Sequence, residues 1–315
     1  MMTKDQFFKH IGLTEEELMH TSIPVSYREE GDPMYVFREK YSLDGVDSLP
    51  DDLVIGGSLE LCYSEIKELP KDLYVGGILA IKNCKITSLP TSIVIGKGLV
   101  LENCPIEELP EGLEIGFVNE YLGNYHKGGD YINQIILSGF YRGLRIKDCP
   151  IRRLPKGLKV NGRLSIQGTA IEELPEGLGA SGVNIMQTPI RRIPNDMLSL
   201  PDGLIANDSQ LEVLPDGMKI GKLLSVKNTP IVELPHHLRV DGFLHAENTK
   251  ITCLPDDLQV SRNINIENTL IEELPEDWRH EGKIRVKGSP LADVYKSKKS
   301  RQWAKEKYGW KIIVD

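Results

Sequence analysis

Three cysteines, Cys84, Cys104 and Cys149, hold equivalent positions in a repeated pattern and are the first candidates for chemistry. Thiolates bind zinc, and neighbouring thiols can carry out redox reactions. The pattern places no further Cys or His beside them to complete a four-ligand metal site. Serine or threonine fills the same position elsewhere, and free cysteine is among the most buried residue types. We therefore predict that the thiols belong to a buried column of small residues.

Two histidine features suggest other chemistry. His236 and His237 are adjacent and could bind a metal, whereas His126 with its neighbouring tyrosines could form an enzyme site. Adjacent residues of an extended segment point in opposite directions, so His236 and His237 cannot easily face one ion. No Ser/His/Asp arrangement, phosphate-binding glycine loop or pair of catalytic carboxylates can be placed. We expect no catalytic residue, metal, cofactor or small-molecule substrate; an enzyme using His126 is a minor alternative.

A single sequence repeat predicts the structural elements that position these residues. A Leu-Pro or Ile-Pro dipeptide recurs along the chain, and all of its steps but one are nearly equal in length. Its first members are Leu49, Leu69, Leu89, Leu109, Leu154, Leu174, Ile193, Leu214, Leu234, Leu254 and Leu274. Self-similarity at this spacing is typical of a solenoid. The sequence therefore predicts a repeat solenoid of about 11 coils of about 20 residues each, whose extended surface suits macromolecular binding.

A single repeat, residues 154–173, shows how a coil is built. Apolar residues and glycine alternate from Leu158 to Ile166, which predicts a strand with one buried face. The central Gly162 suggests a corner between two short extended pieces. A proline that lacks an N–H suits the convex side, outside the hydrogen-bonded ladder. We predict a mainly β solenoid with extended convex segments and short helical caps at both ends.

The consensus Leu-Pro-x-x-Leu-x-Val-x-Gly-x-Leu-x-Ile-x-Asn-Thr-x-Ile resembles bacterial leucine-rich repeats of the Leu-Pro-x type. It is also similar to variants with a threonine ladder in bacterial and bacteriophage proteins. The match covers residues 46–291. Relatives of this kind include effectors that act inside host cells, some with a ubiquitin-ligase domain and a catalytic cysteine after the repeats. Only a short segment, 291–315, follows the repeats here, and it contains no cysteine, so that activity is not expected.

The one irregular step runs from Leu109 to Leu154, is more than twice as long as the others, and contains an insertion at a glycine corner. Removing residues 117–141 restores a regular coil. The insertion is rich in tyrosine and glycine, a composition that gives large contact area at low entropy cost. We predict that it is the main recognition element, unless its aromatic residues only pack it onto the solenoid. The predicted partner-binding residues of the insertion are Tyr121, Tyr125, His126, Tyr131, Phe140 and Tyr141.

The concave sheet is the second predicted contact surface. Alternate residues of its strands face solvent and form a chemically mixed surface, which suits a folded protein partner. The predicted partner-binding residues of this face are Arg145, Lys147, Met186 and His245. The predicted domains are an N-terminal, partly helical cap (1–45), the leucine-rich-repeat solenoid (46–290) and a C-terminal helix–strand cap (291–315).

The amino-acid composition excludes some classes of partner and indicates a compartment. Lys and Arg number 38 against 46 Asp and Glu, and a net charge of −8 argues against nucleic acid. There is no apolar run of spanning length and no signal peptide at the N-terminus, so neither a membrane nor a secretory signal is expected. An odd count of five cysteines indicates a reducing compartment, hence the cytoplasm of the producing or a host cell.

The sequence thus predicts a non-catalytic protein–protein interaction module. It would bind, and modulate or inhibit, a protein partner in the cytosol. The resemblance to bacterial and bacteriophage leucine-rich-repeat proteins implies a role as an effector or a phage counter-defence factor. The alternative is a structural leucine-rich-repeat scaffold that self-associates.

Overall fold

The computed structural model describes residues 6, 9, 35–36, 41–44, 48–50, 53–55, 58–116, 142–276 and 278–314. The chain divides into two compact units, Met1–Leu164 and Ser165–Asp315. The insertion 117–141, with all six of its predicted binding residues, lies outside the described residues, as does most of the predicted N-terminal cap.

The first unit contains two parallel sheets. One sheet has the order β1-β3-β5-β7-β9-β11, from Tyr35–Val36, Leu53–Ile55, Tyr74–Val75, Val94–Ile95, Glu114–Ile115 and Lys159–Val160. The other has the order β2-β4-β6-β8-β10, from Tyr41–Asp44, Leu59–Cys62, Ile78–Lys82, Gly98–Glu102 and Gly143–Lys147. We call the latter the long-strand sheet. Strand β12 (Arg163–Ser165) contains the boundary between the units.

The second unit repeats this arrangement. Its long-strand sheet has the order β13-β15-β17-β19-β21-β22-β23, from Gly182–Asn184, Gly203–Ile205, Leu223–Ser225, Phe243–His245, Ile264–Asn265, Lys283–Arg285 and Lys311–Ile313. Its short strands are β14 (Ser199–Leu200), β16 (Lys219–Ile220), β18 (Arg239–Val240) and β20 (Gln259–Val260). Two helices, α1 (Pro290–Val294) and α2 (Lys298–Tyr308), precede β23.

Coils stack at the predicted step. Leu79 pairs with Leu99 in the first unit, and Leu224 pairs with Leu244 in the second, so each residue lies beside its equivalent in the next repeat. These four side chains are fully buried. Because every coil presents the same apolar positions inward, one continuous core forms in each unit. The predicted repeat solenoid, with two short strands per coil and few helices, is confirmed.

The strands on the two sides of the insertion 117–141 pair with each other in the same register as the strands of regular coils. Gly143 pairs with Gly98, and Lys159 pairs with Glu114, so equivalent positions on the two sides of the insertion still meet. Gly143 has a φ of 125°, and a Cβ placed there would lie 1.9 Å from the carbonyl oxygen of Arg163. Only glycine fits so close an approach of two backbones.

Tight turns follow the Leu-Pro dipeptides of the described coils. The Leu158 N–H donates to the Pro155 carbonyl across 3.4 Å, closing a four-residue turn. In four of these turns the third residue is a glycine in left-handed backbone, as in Gly157 with a φ of 69° and Gly217 with a φ of 73°. His237 holds the same position with a φ of 57°, which is uncommon for a residue with a side chain.

An asparagine ladder lines one edge of the coils. Asn228, Asn248 and Asn268 all have positive φ, and each donates its side-chain amide to the side-chain oxygen of the preceding coil. The sequence suggests that such side chains bond their own turn. They instead link neighbouring coils, because stacking places identical positions within hydrogen-bond reach.

The C-terminal segment packs through its aromatic residues. Trp310 is 2% exposed, its indole N–H donates to the Trp278 carbonyl across 3.0 Å, and its ring stacks on Tyr308 with centroids 4.2 Å apart. Gly309 ends α2 in left-handed backbone, which lets the chain turn into β23.

Candidate partner-binding surface

The described residues of the predicted surface lie on the solvent side of the long-strand sheets, which we call the outer face. Arg145 and Lys147 are alternate residues of β10 in the first unit. In the second unit, Met186 follows β13 and His245 ends β19. All four are half-buried, because neighbouring coils shield their flanks. The structure therefore joins Arg145 to Lys147 on one strand, whereas Met186 and His245 stand on separate strands.

Opposite charges alternate along the outer face of the first unit. Lys82 donates to Glu60 across 2.7 Å, and Lys147 lies 3.5 Å from Glu102 and 3.7 Å from Asp148. The hydrogen bond to Glu60 is the main cause that raises the pKa of Lys82. These partners fix the lysine side chains, so a binding partner would meet charges already in place.

The outer face of the second unit contains a tighter group. Lys227 and Glu247 form an ion pair in which their side chains are only 32% and 13% exposed. The second carboxylate oxygen, Glu247 Oε2, is buried and has no hydrogen-bond partner within the described chain. A buried acceptor without a hydrogen-bond partner is costly.

His245 belongs to the same group. Its pKa is lowered, first by burial; Glu247 raises it and Lys227 lowers it. The imidazole is therefore mainly neutral at pH 7 and offers one donor and one acceptor. Close by, the Arg262 guanidinium lies 5.4 Å from the centre of the Phe243 ring.

Polar side chains also support this face from inside the sheet. Asn207 accepts from the Ser225 hydroxyl across 2.7 Å and from the Lys227 N–H across 3.3 Å. The surface thus combines fixed charges, one neutral imidazole and one aromatic ring. It can recognise a partner through hydrogen bonds and charge complementarity.

The sequence places Lys227 and Glu247 among the outward-facing residues of this face, but they are not among its predicted partner-binding residues. The available signal was their spacing of one repeat, because residues at equivalent positions of successive coils become neighbours. Opposite charges at that spacing indicate an ion pair between coils. In the first unit Lys82 and Glu102 are register partners at the same spacing, but Lys82 forms its ion pair with Glu60.

The cysteine column lies in the core as predicted. Cys84, Cys104 and Cys149 are buried, as are Ser64 and, in the second unit, Thr169, Thr188, Ser209, Thr229, Thr249, Thr269 and Ser289. In the second unit the hydroxyl groups donate to the carbonyl three residues back, as from Thr249 to Ala246 across 2.8 Å, whereas the Ser64 hydroxyl donates to the Cys84 sulfur across 3.2 Å. The thiols of Cys84, Cys104 and Cys149 bond the carbonyl two residues back instead. The hydrogen bond with Cys149, and then burial, raise the pKa of Cys104, so this thiol stays protonated.

The extended backbone expected at His236 and His237 is wrong for His237, which takes left-handed backbone. That the two imidazoles do not bind one ion stays a prediction. The Nδ1 atoms of His236 and His237 lie 3.7 Å and 2.8 Å from Oδ2 of Asp257. Alternation of side chains holds only for extended backbone.

Exposed ion pairs also link neighbouring coils in the segment between the inward isoleucine or leucine and the Leu-Pro or Ile-Pro dipeptide. Arg153 donates to Glu108 across 2.8 Å in the first unit, and Arg191 donates to Glu212 across 2.6 Å in the second. All four side chains are well exposed. Exposed pairs of this kind contribute little to stability.

Comparisons with known proteins yield structural neighbours only. No family model and no curated protein matches the chain. A leucine-rich-repeat protein of Leptospira interrogans matches with a TM-score of 0.44 at 12% identity, over 89% of this chain and 90% of its own. YopM of Yersinia enterocolitica matches with 0.39 at 18%, over 79% and 60% respectively. YopM of Yersinia pestis, described as a leucine-rich effector protein, matches with 0.41 at 18%, over 80% and 78%. Among the described residues, no helix is long and apolar enough to cross a membrane.

Proposed function

We propose that this protein is a non-catalytic protein-interaction module that binds its partner through the outer face. The partly buried ion pair between Lys227 and Glu247 is the observation that carries the proposal. A solenoid that only needed solubility would place such charges in full solvent. Here they are held half-buried and fixed, as preorganised contacts are.

The finer proposal is that binding modulates or inhibits a cytosolic protein, as an effector or phage counter-defence factor does. The resemblance of the repeats to those of such proteins supports it. The insertion 117–141, with its tyrosines and His126, is proposed to contact the same partner. Its composition supports that role, since aromatic residues supply much of the binding energy of protein interfaces.

A charge exchange tests the outer face. The double variant Lys227→Glu/Glu247→Lys keeps the ion pair and the net charge but reverses their positions. The matched control is Arg191→Glu/Glu212→Arg, which exchanges an exposed pair that lies off the outer face. Each variant, the native chain and a deletion of 117–141 are used for affinity capture from lysate of the producing cell, and the captured proteins are identified by mass spectrometry.

We expect the native chain and the control to retain one protein that the outer-face variant loses. Loss of a buried interfacial charge contact weakens binding by about 2–5 kcal/mol, which abolishes capture. Equal capture by both double variants would contradict the role of the outer face. Loss with the deletion alone would place recognition in the insertion. A mass in light scattering that rises with concentration would favour the self-associating scaffold.

A further inference from the structure

The turns after Leu-Pro bring three potential metal ligands together in the second unit. His236 follows one Leu-Pro, and Asp256 and Asp257 follow the next. Ligand atoms of His236, Asp256 and Asp257 all lie within 4.8 Å of one another. Since equivalent positions of successive coils lie side by side, the stacking itself produces this cluster.

Backbone geometry places His237 beside the cluster. At the position where four other coils have glycine in left-handed backbone, this coil has His237 with a φ of 57°. That backbone directs the imidazole to Asp257, whose Oδ2 lies 2.8 Å from Nδ1.

The Asp257 carboxylate is the centre of the cluster and is incompletely satisfied. Its Oδ2 meets both histidines, whereas Oδ1 is buried and has no hydrogen-bond partner among the described residues. Asp256 brings a second carboxylate beside it. Two neighbouring carboxylates repel each other, and a shared cation removes the repulsion and uses the free oxygen.

We propose that His236, Asp256 and Asp257, supported by His237, bind a first-row divalent cation of the zinc class. Imidazole favours zinc and its neighbours over calcium or magnesium, and the carboxylates supply the remaining protein donors. Asp256 and Asp257 also border a shallow depression with Pro275, Glu276 and Trp278. Solvent therefore reaches the ion, which leaves one coordination position for water or a side chain of another protein.

Isothermal titration calorimetry, with zinc chloride titrated into the full chain, tests the site. We expect the native chain to bind one equivalent of zinc at this site. In both His236→Ala and Asp257→Asn, this binding should be lost or be roughly 10–100-fold weaker. The matched control is Glu176→Gln, which changes an exposed acidic residue at the position of His236 in a coil without histidines. It should bind zinc as the native chain does.

A second readout separates this site from the cysteines. Cobalt(II) bound by nitrogen and oxygen donors gives visible absorption without the thiolate charge-transfer band. This nitrogen–oxygen spectrum should vanish in His236→Ala, with unchanged far-ultraviolet circular dichroism. Zinc affinity and stoichiometry that stay at the native values in both variants, or change in only one of them, would overturn the proposed cluster.

Discussion

At the scale of single residues, His280 couples the core of the second unit to pH. It is 4% exposed, lies parallel to the Trp278 ring at 5.2 Å, and bonds the Val260 carbonyl through Nδ1. Its Nε2 is buried and has no partner in the described part of the chain. Burial is the main cause that lowers its pKa from the ordinary 6.5. Protonation would therefore place an unsatisfied charge in the core.

The sign of the pH effect follows from linkage. The unfolded chain holds the proton of this histidine more tightly than the folded chain, so stability is full above pH 6.5 and falls as the pH drops through and below it. We predict a smaller loss of melting temperature from pH 7.5 to 5 in His280→Phe than in the native chain, measured by circular dichroism. His245 has a lowered pKa too and contributes in both chains. Equal losses would contradict the role of His280.

At the scale of elements, the asparagine ladder combines a backbone requirement with two hydrogen bonds. Asn248 has a φ of 59°, donates to Asn228 across 2.7 Å and accepts from Asn268 across 2.8 Å. We predict that Asn248→Gly lowers the free energy of unfolding by about 1 kcal/mol, because the exposed bonds are lost. Asn248→Ala should lose roughly 1–2 kcal/mol more, because alanine is strained in left-handed backbone.

Urea denaturation followed by circular dichroism measures both changes. Thr252→Ala is the control, since this exposed residue of the same coil should shift stability by no more than about 0.5 kcal/mol. Alanine and glycine variants of equal stability would show that the backbone conformation at Asn248 carries no strain.

The elements were the most predictable part of the molecule, because one period determines them. Inward Leu79 and Leu99, the corner glycines and the column of Thr249 all follow from residues at fixed positions of the repeat unit. The contact of His236 and His237 with Asp257 could not be predicted in the same way. It depends on left-handed backbone at one residue, and the sequence signal is only that His237 stands where four other repeats have glycine. The boundaries of the predicted domains and the role of the insertion 117–141 stay predictions.

At the scale of the whole molecule, a solenoid must end without an exposed apolar coil. In the second unit, β23 pairs with β22, so the C-terminal segment adds a last strand to the long-strand sheet. Lys311 on β23 is exposed, and a charged residue on an edge strand opposes pairing with another chain. Loss of this segment would therefore change association as well as stability.

Substitution of Trp310 tests whether loss of the C-terminal cap leads to association of the chain. Its indole is buried against Trp278 and Tyr308, so Trp310→Ala should lose about 3–5 kcal/mol and release β23. Trp303 is the matched control, because it is 49% exposed and meets Tyr308 only edge-on, which predicts a loss of at most about 1 kcal/mol for Trp303→Ala. We expect light scattering to show larger species for Trp310→Ala at concentrations where Trp303→Ala keeps the native mass. If both variants keep the native mass and melting temperature, the C-terminal segment does not cap the solenoid.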